Sequence, residues 1–162
     1  MFKKYVSLQE VREKIKHYCA YQERCHAEVK QKLIGFGLRE DDINEVLVVL
    51  IEENFLNEER FAKQYVRGKF IIKKWGRNKI KYELQKKQVS QHNIKIALST
   101  IDEEDYINTL QKELQDYYSK IKSGKSYQNK IKAQQYLKQR GFELSLIIEQ
   151  FKELSIQNTN QY

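Results

Sequence analysis

The chain has 162 residues, no proline, six glycines and a net charge of +8; 40% of it is hydrophobic and 32% charged. That supplies a core, leaves few helix breakers, and favours nucleic acid or an acidic surface as partner. Two cysteines, Cys19 and Cys25, exclude a disulfide framework and fit the cytoplasm; the longest apolar run, Val46 to Ile51, excludes a membrane span, and the N-terminus shows no signal-peptide core.

Residues 1–7 read as a short arm. Leu8 to about Gln22 is a first helix, with Leu8, Val11, Ile15, Tyr18 and Cys19 on one side. Cys25 to Phe36 is a second, carrying Val29 and Leu33 and stopping at Gly37, a good residue for a helix end. Glu40 to Asn54 is a third, opening on Glu40-Asp41-Asp42 and carrying Ile43, Val46, Leu47, Leu50 and Ile51.

The same order then recurs. A shift of 51 residues lays Val29 on Ile80, Leu33 on Leu84, Leu38 on Val89, Ile43 on Ile94 and Leu47 on Leu98. A further shift of 53 reaches Ala133, Leu137, Phe142, Ile147 and Phe151. The middle helices start at Cys25, Gly76 and Asn129, of which Cys is the poor cap. The expected fold is therefore all-α: three tandem three-helix repeats resembling helix-turn-helix modules, at 8–54, 55–101 and 102–154, stacked into an elongated, curved body. Residues 155–162 form a polar, frayed tail.

Charge is concentrated in the middle repeat. Asn57 is placed to cap a helix that opens on Glu58 and Glu59. Phe61, Ala62, Tyr65, Val66, Phe70 and Ile72 form its apolar face, and the pattern stops at Trp75-Gly76. From Arg60 to Lys95 there are twelve Lys or Arg and one acid, Glu83. A second basic run, Ser119 to Arg140, has seven Lys or Arg and no acid. The candidate contacts to an anionic partner are Arg60, Lys63, Arg67, Lys69, Lys73, Lys74, Arg77, Lys79, Lys81, Lys86 and Lys87, with Lys125, Lys130 and Lys132 from the second run. Lys73, Lys74 and Arg77 are expected to be exposed. Trp75 and Tyr82 lie among these cations and suit stacking on nucleic-acid bases; for Trp75 a plug between two helices is the favoured reading.

Catalytic signals are weak. Glu40-Asp41-Asp42 and Glu103-Glu104-Asp105 are acidic triplets, but adjacent helical residues point apart. His17, Cys19, Cys25 and His26 have an unusual spacing for zinc, and Cys19 falls on an apolar side. Ser123-Gly124-Lys125-Ser126 lacks the earlier glycine of a phosphate-binding loop and reads as an exposed basic loop. No metal, cofactor or enzymatic role is expected.

Three local patterns then resemble the RecX family, regulatory proteins of the RecA recombinase. RCHAEVKQKL (Arg24 to Leu33) is similar to the family's R-S-x-x-E-L-x-x-K-L. NFLNEERFAKQYV followed by WGRNKIKYELQKKQV is similar to its G-[YF]-L-[ND]-[DE]-x-R-[FY]-A segment and the Gly, basic residue, Ile and Leu that follow. YLKQRGFELSLI (Tyr136 to Ile147) is similar to its closing L-x-x-R-G-F-x-x-x-x-I. The chain departs at Cys25, where Ser usually caps, and at Asn54 and Gln88, where Gly is usual. The resemblance implies a non-enzymatic, monomeric modulator of RecA, most simply an inhibitor. It would lie along the RecA–DNA filament and limit its growth, strand exchange and ATP hydrolysis. Single- and double-stranded DNA would be bound weakly and without sequence preference. The alternatives are a helical DNA- or RNA-binding regulator acting without RecA, and a helical adaptor that binds only protein.

Overall fold

The computed structural model describes residues 6–121 and 127–159, with side chains as far as 154 in the last stretch. Nine helices and no strand occur among the described residues: α1 Leu8–Tyr21, α2 His26–Gly35, α3 Glu40–Glu52, α4 Glu58–Ile71, α5 Arg77–Lys86, α6 Gln91–Leu98, α7 Glu103–Lys120, α8 Tyr127–Gln139 and α9 Leu144–Thr159. The all-α expectation holds. The Ser123–Ser126 segment and Lys125 lie outside the described residues. No helix among the described residues is long and apolar enough to cross a membrane.

Local chemistry sets the helix starts. Ser7 and Glu10 exchange side-chain and backbone hydrogen bonds, each 3.2 Å, which satisfies two N-terminal amides of α1. Asn57 accepts from the Arg60 amide at 2.9 Å, as its position before two glutamates predicts. Cys25 makes no side-chain cap to α2; instead the Glu28 carboxylate reaches back to the Cys25 amide at 3.0 Å.

The chain divides into two compact units, Met1–Tyr65 with Leu84–Ala97, and Val66–Glu83 with Leu98–Tyr162. In the first, Val11, Ile15, Cys19, Val29, Leu33, Ile43, Val46, Leu50 and Leu56 form one buried cluster, with Tyr18, Phe36, Leu38 and Leu47 packed on its margin. In the second, Tyr106 is fully buried, with Phe70 and Phe142 rings 5.7 and 5.4 Å from its own.

The repeat register is visible in burial. Val29, Ile80 and Ala133 are all fully buried, as are Leu33, Leu84 and Leu137. In the third helices Ile43, Ile94 and Ile147 are buried in the expected register, but of Leu47, Leu98 and Phe151 only Phe151 is buried. Leu47 and Leu98 are half-buried, while Val46 and Ala97, one position earlier, are buried. Ile72 also departs: α4 ends at Ile71, so Ile72 leaves the helical face and is 76% exposed.

The turns after the middle helices repeat as well. Gly37, Gln88 and Gly141, related by the same shifts, have φ of +85°, +60° and +96°. Asn54 also has positive φ, +61°. Both residues that stand in for the usual glycine thus occupy left-handed backbone, which costs a side-chain-bearing residue roughly 1–2 kcal/mol.

In the second unit two glycines meet. The Gly76 amide donates to the Arg140 carbonyl at 2.7 Å, and the Asn78 amide to the Gly141 carbonyl at 2.9 Å. These bonds satisfy donors that a helix start leaves without intrahelical partners. A Cβ on Gly76 would fall 2.3 Å from the Gly141 carbonyl carbon, and one on Gly141 2.4 Å from the Lys79 Cβ. We expect Gly76→Ala to cost about 3 kcal/mol or more, because backbone on both sides must move. Gly68→Ala, in open space within α4, should instead stabilise by about 0.5–1 kcal/mol. Urea unfolding followed by helical circular dichroism checks both; equal effects of the two substitutions would refute the close-approach argument.

Candidate nucleic-acid interface

The cations singled out in the sequence are not equivalent. In the first unit, Arg60 pairs with Glu23 and also donates to the Asn54 side chain and carbonyl at 3.1 and 3.0 Å. It therefore ties the start of α4 to the turn after α3. Lys63 pairs with Glu59 one turn earlier on α4. Lys87 reaches Glu28 of α2 at 3.1 Å, with both side chains about two-thirds buried. Lys86 is exposed.

In the second unit Arg77 departs from expectation. Its side chain is only 23% exposed and pairs with Glu103 and with Glu143, the latter at 3.4 Å. Its guanidinium lies 3.9 Å from the centre of the Tyr106 ring, and its amide donates to the Tyr106 hydroxyl at 3.0 Å. That hydroxyl donates onward to Glu143. Burial depresses the Arg77 charge, but Glu103 and Glu143 outweigh it and hold the guanidinium above its usual pKa. Burial, then the Glu143 carboxylate, push the Tyr106 phenol far above its ordinary value.

Arg140 works similarly. It donates to the Lys73 carbonyl, and its Nε lies 3.3 Å from Glu113 without hydrogen-bond geometry. Glu113 accepts from the Tyr136 hydroxyl at 3.3 Å, and Tyr136 stacks on Tyr117 with ring centres 4.4 Å apart. The link holding Lys73, Lys74 and Trp75 is thereby fastened to α8. Lys74 itself has φ +56°.

What remains are cations free to meet a partner. Among the described residues no acid pairs with Arg67, Lys73, Lys81, Lys130 or Lys132, all exposed, or with half-buried Lys74. Tyr82 is 59% exposed. Trp75 is half-buried, with the Lys69 and Lys79 ammonium groups 4.8 and 4.3 Å from its ring centre. The sequence reading did not single out an open groove of about 550 Å³ in the first unit, walled partly by Tyr18, Glu28, Lys32, Phe36 and Lys87.

Cys19 and Cys25 are both buried free thiols. Burial pushes Cys19 up to about 11, so it behaves as a small apolar group and not as a thiolate ligand. Among the described residues no cluster of three or more His, Cys, Asp or Glu is arranged to hold a metal.

These features define a class: an all-helical protein of repeated three-helix units with its cations gathered in the middle of the chain. Residues 57–98 match the family model for the second three-helix domain of RecX. Over 118 residues the chain is 35% identical to regulatory protein RecX of Clostridium perfringens strain 13, covering 72% of this chain and 55% of that protein. Over 145 residues it is 28% identical to RecX of Halalkalibacterium halodurans, covering 90% and 54%. The chain spans about half the length of the curated relatives it matches. The crystal structure of RecX from Lactobacillus salivarius has the same fold, with a TM-score of 0.84 over 92% of this chain and 97% of that one at 23% identity. A second RecX crystal structure matches with a TM-score of 0.82 over 90% and 73% of the two chains, at 20% identity. The chain belongs to the RecX family, whose members are named regulatory proteins.

Two outcomes follow from this geometry. Arg77→Ala should cost about 1–3 kcal/mol, since it strands the partly buried Glu143 carboxylate, whereas Lys81→Ala should change stability by no more than about 0.5 kcal/mol; chemical unfolding reads the difference. The second concerns pH. Burial raises Glu28, but the Cys25 amide and Lys87 outweigh it and hold the carboxyl below its usual 4.5. Its contribution is complete above that range and is lost as pH falls through the lowered folded value. Lys87→Met should therefore flatten the decline in urea midpoint between pH 5 and pH 3; an unchanged slope would mean that Lys87 does not hold Glu28.

Proposed function

We propose that the protein modulates RecA as an inhibitor, binding along the RecA–DNA filament and limiting its growth, strand exchange and ATP hydrolysis. Membership of the RecX family is the observation that carries this reading. The unpaired exposed cations Arg67, Lys73 and Lys81, with Lys130 and Lys132, support it, because a nucleoprotein filament presents phosphates and acidic surface together. In this reading the middle repeat, 55–101, supplies much of the contact. DNA alone is bound weakly and without sequence preference, and the protein acts as a monomer in the cytoplasm. Arg60, Arg77 and Lys87 then serve mainly to hold the fold, and the contact falls to their neighbours.

The test is the DNA-dependent ATPase of the cognate RecA. Wild type should lower it at substoichiometric amounts. A Lys73→Glu, Lys74→Glu, Lys81→Glu variant that keeps its helical spectrum should lose at least about tenfold in potency, and each phosphate contact removed should reduce the log–log salt slope of DNA binding by about one. Wild-type inhibition by that variant would remove the site assignment. If equimolar wild type leaves RecA unaffected yet binds one duplex sequence tightly, the protein is a helical DNA-binding regulator instead.

A further inference from the structure

The groove of about 550 Å³ lies wholly in the first unit, since every residue lining it falls within 1–65 or 84–97. Its volume is in the range of sites that enclose a ligand or an anchoring side chain. Tyr18, Ala27 and Phe36 give it apolar walls, and Gly35 lies between them in the lining. Gly35 ends α2 without left-handed backbone, and a Cβ there would meet nothing within 4 Å. Neither backbone nor packing needs a glycine at that position. Its missing side chain instead leaves room in the groove.

The same walls are cationic. Lys32, Lys86 and Lys87 line the groove against one acid, Glu28. Lys87 is paired with Glu28, while among the described residues no acid pairs with exposed Lys32. The Lys32 ammonium lies 5.4 Å from the Tyr18 ring centre and 5.7 Å from that of Phe36. Arg24 lies 3.9 Å from the Tyr18 ring centre, and Lys14 6.0 Å from that of Phe36. The complementary occupant is anionic and carries an apolar group.

Two features choose among such anions. A base stacking on Tyr18 or Phe36 would compete with cations already held at those rings. Glu28, ionised at neutral pH, is itself part of the wall. It accepts from the Cys25 amide at 3.0 Å and from Lys87 at 3.1 Å, and a carboxylate has lone pairs for further donors. A phosphodiester chain offers that carboxylate only repulsion, whereas a peptide brings backbone N–H donors together with its own carboxylates. Residues 1–5, 122–126 and 160–162, which lie outside the described residues, contain no acid, so none of these segments supplies the occupant.

We propose that this groove docks an acidic peptide segment of a protein partner, with an apolar side chain seated beside Gly35 and a carboxylate on Lys32. The site goes beyond the function proposed above and does not rest on it.

The probes are the fluorescein-labelled peptide DEDFEDE, its counterpart DEDGEDE and a labelled oligothymidylate, each followed by anisotropy. DEDFEDE should bind at least about fivefold tighter than DEDGEDE, through burial of its ring. Gly35→Trp, which fills the groove, should weaken DEDFEDE at least about tenfold and keep the helical spectrum, because a helical glycine is replaced. Lys32→Gln should weaken it about fivefold, whereas Lys138→Gln, at an exposed lysine of the second unit, should stay within about twofold of wild type. Wild-type peptide binding by Gly35→Trp would overturn the proposal, as would failure of the wild-type protein to bind DEDFEDE. Equal losses for Lys32→Gln and Lys138→Gln would mean attraction by net charge alone and overturn it too. If Gly35→Trp lowers oligothymidylate binding but not peptide binding, the groove belongs to nucleic acid. If Gly35→Trp only abolishes concentration-dependent self-association in sedimentation, the groove receives a second copy of the chain. Either result overturns the peptide site, and none of these outcomes bears on the RecA ATPase test, which reads Lys73, Lys74 and Lys81.

Discussion

The second unit depends on the approach of two backbones at Gly76 and Gly141. No side chain fits between them, so the start of α5 is capped by main-chain carbonyls from the turn before α9. That contact places Arg77 beside Tyr106 and Glu143, and it places Lys79 against the turn on one side and the Trp75 ring on the other. Positioning of the basic cluster and packing of the core therefore share one origin. A structure that separated them would need other partners for the Gly76 and Asn78 amides, since the Tyr106 hydroxyl already takes the Arg77 amide.

Charge in this protein divides by role. Some cations are held by carboxylates far away in the chain: Arg60 by Glu23, Lys87 by Glu28, Arg77 by Glu103 and Glu143. Lys87–Glu28 and Arg77–Glu143 are half-buried on both sides, where removal of one partner costs more than at the open surface. Among the described residues Arg67, Lys73, Lys81, Lys130 and Lys132 are exposed with no acid paired to them. A basic run is thus composed of two populations, one tied into the fold by carboxylates and one exposed without an acid paired to it.

Much of this was legible in the sequence. The spacing of Val29, Leu33 and Ile43 and their counterparts identified the buried stripe of each repeat, because helical burial follows period and period is local. Asn57 announced its helix in the same way. Leu47 and Leu98 are half-buried where Phe151 is buried, because Val46 and Leu47 are both apolar and only packing distinguishes them. Arg77 was misjudged because its acids lie 26 and 66 residues away, beyond any local pattern. The resemblance to the family marked Asn54 and Gln88 as departures, and their left-handed backbone gives the physical reason that glycine is usual there.

One departure from repetition bears on the order of the modules. Where the first two third helices bury Val46 and Ala97, α9 buries Gln150, 3% exposed, which accepts from the Gln111 amide of α7 at 2.7 Å. An apolar replacement of Gln111 would leave the buried Gln150 amide without this partner, at a cost of about 1–3 kcal/mol. The third helix is therefore addressed to its own neighbour. A chain built by duplicating or exchanging these helices would carry the right apolar stripe and still be rejected at this one position. The repeats share an architecture but are not interchangeable parts.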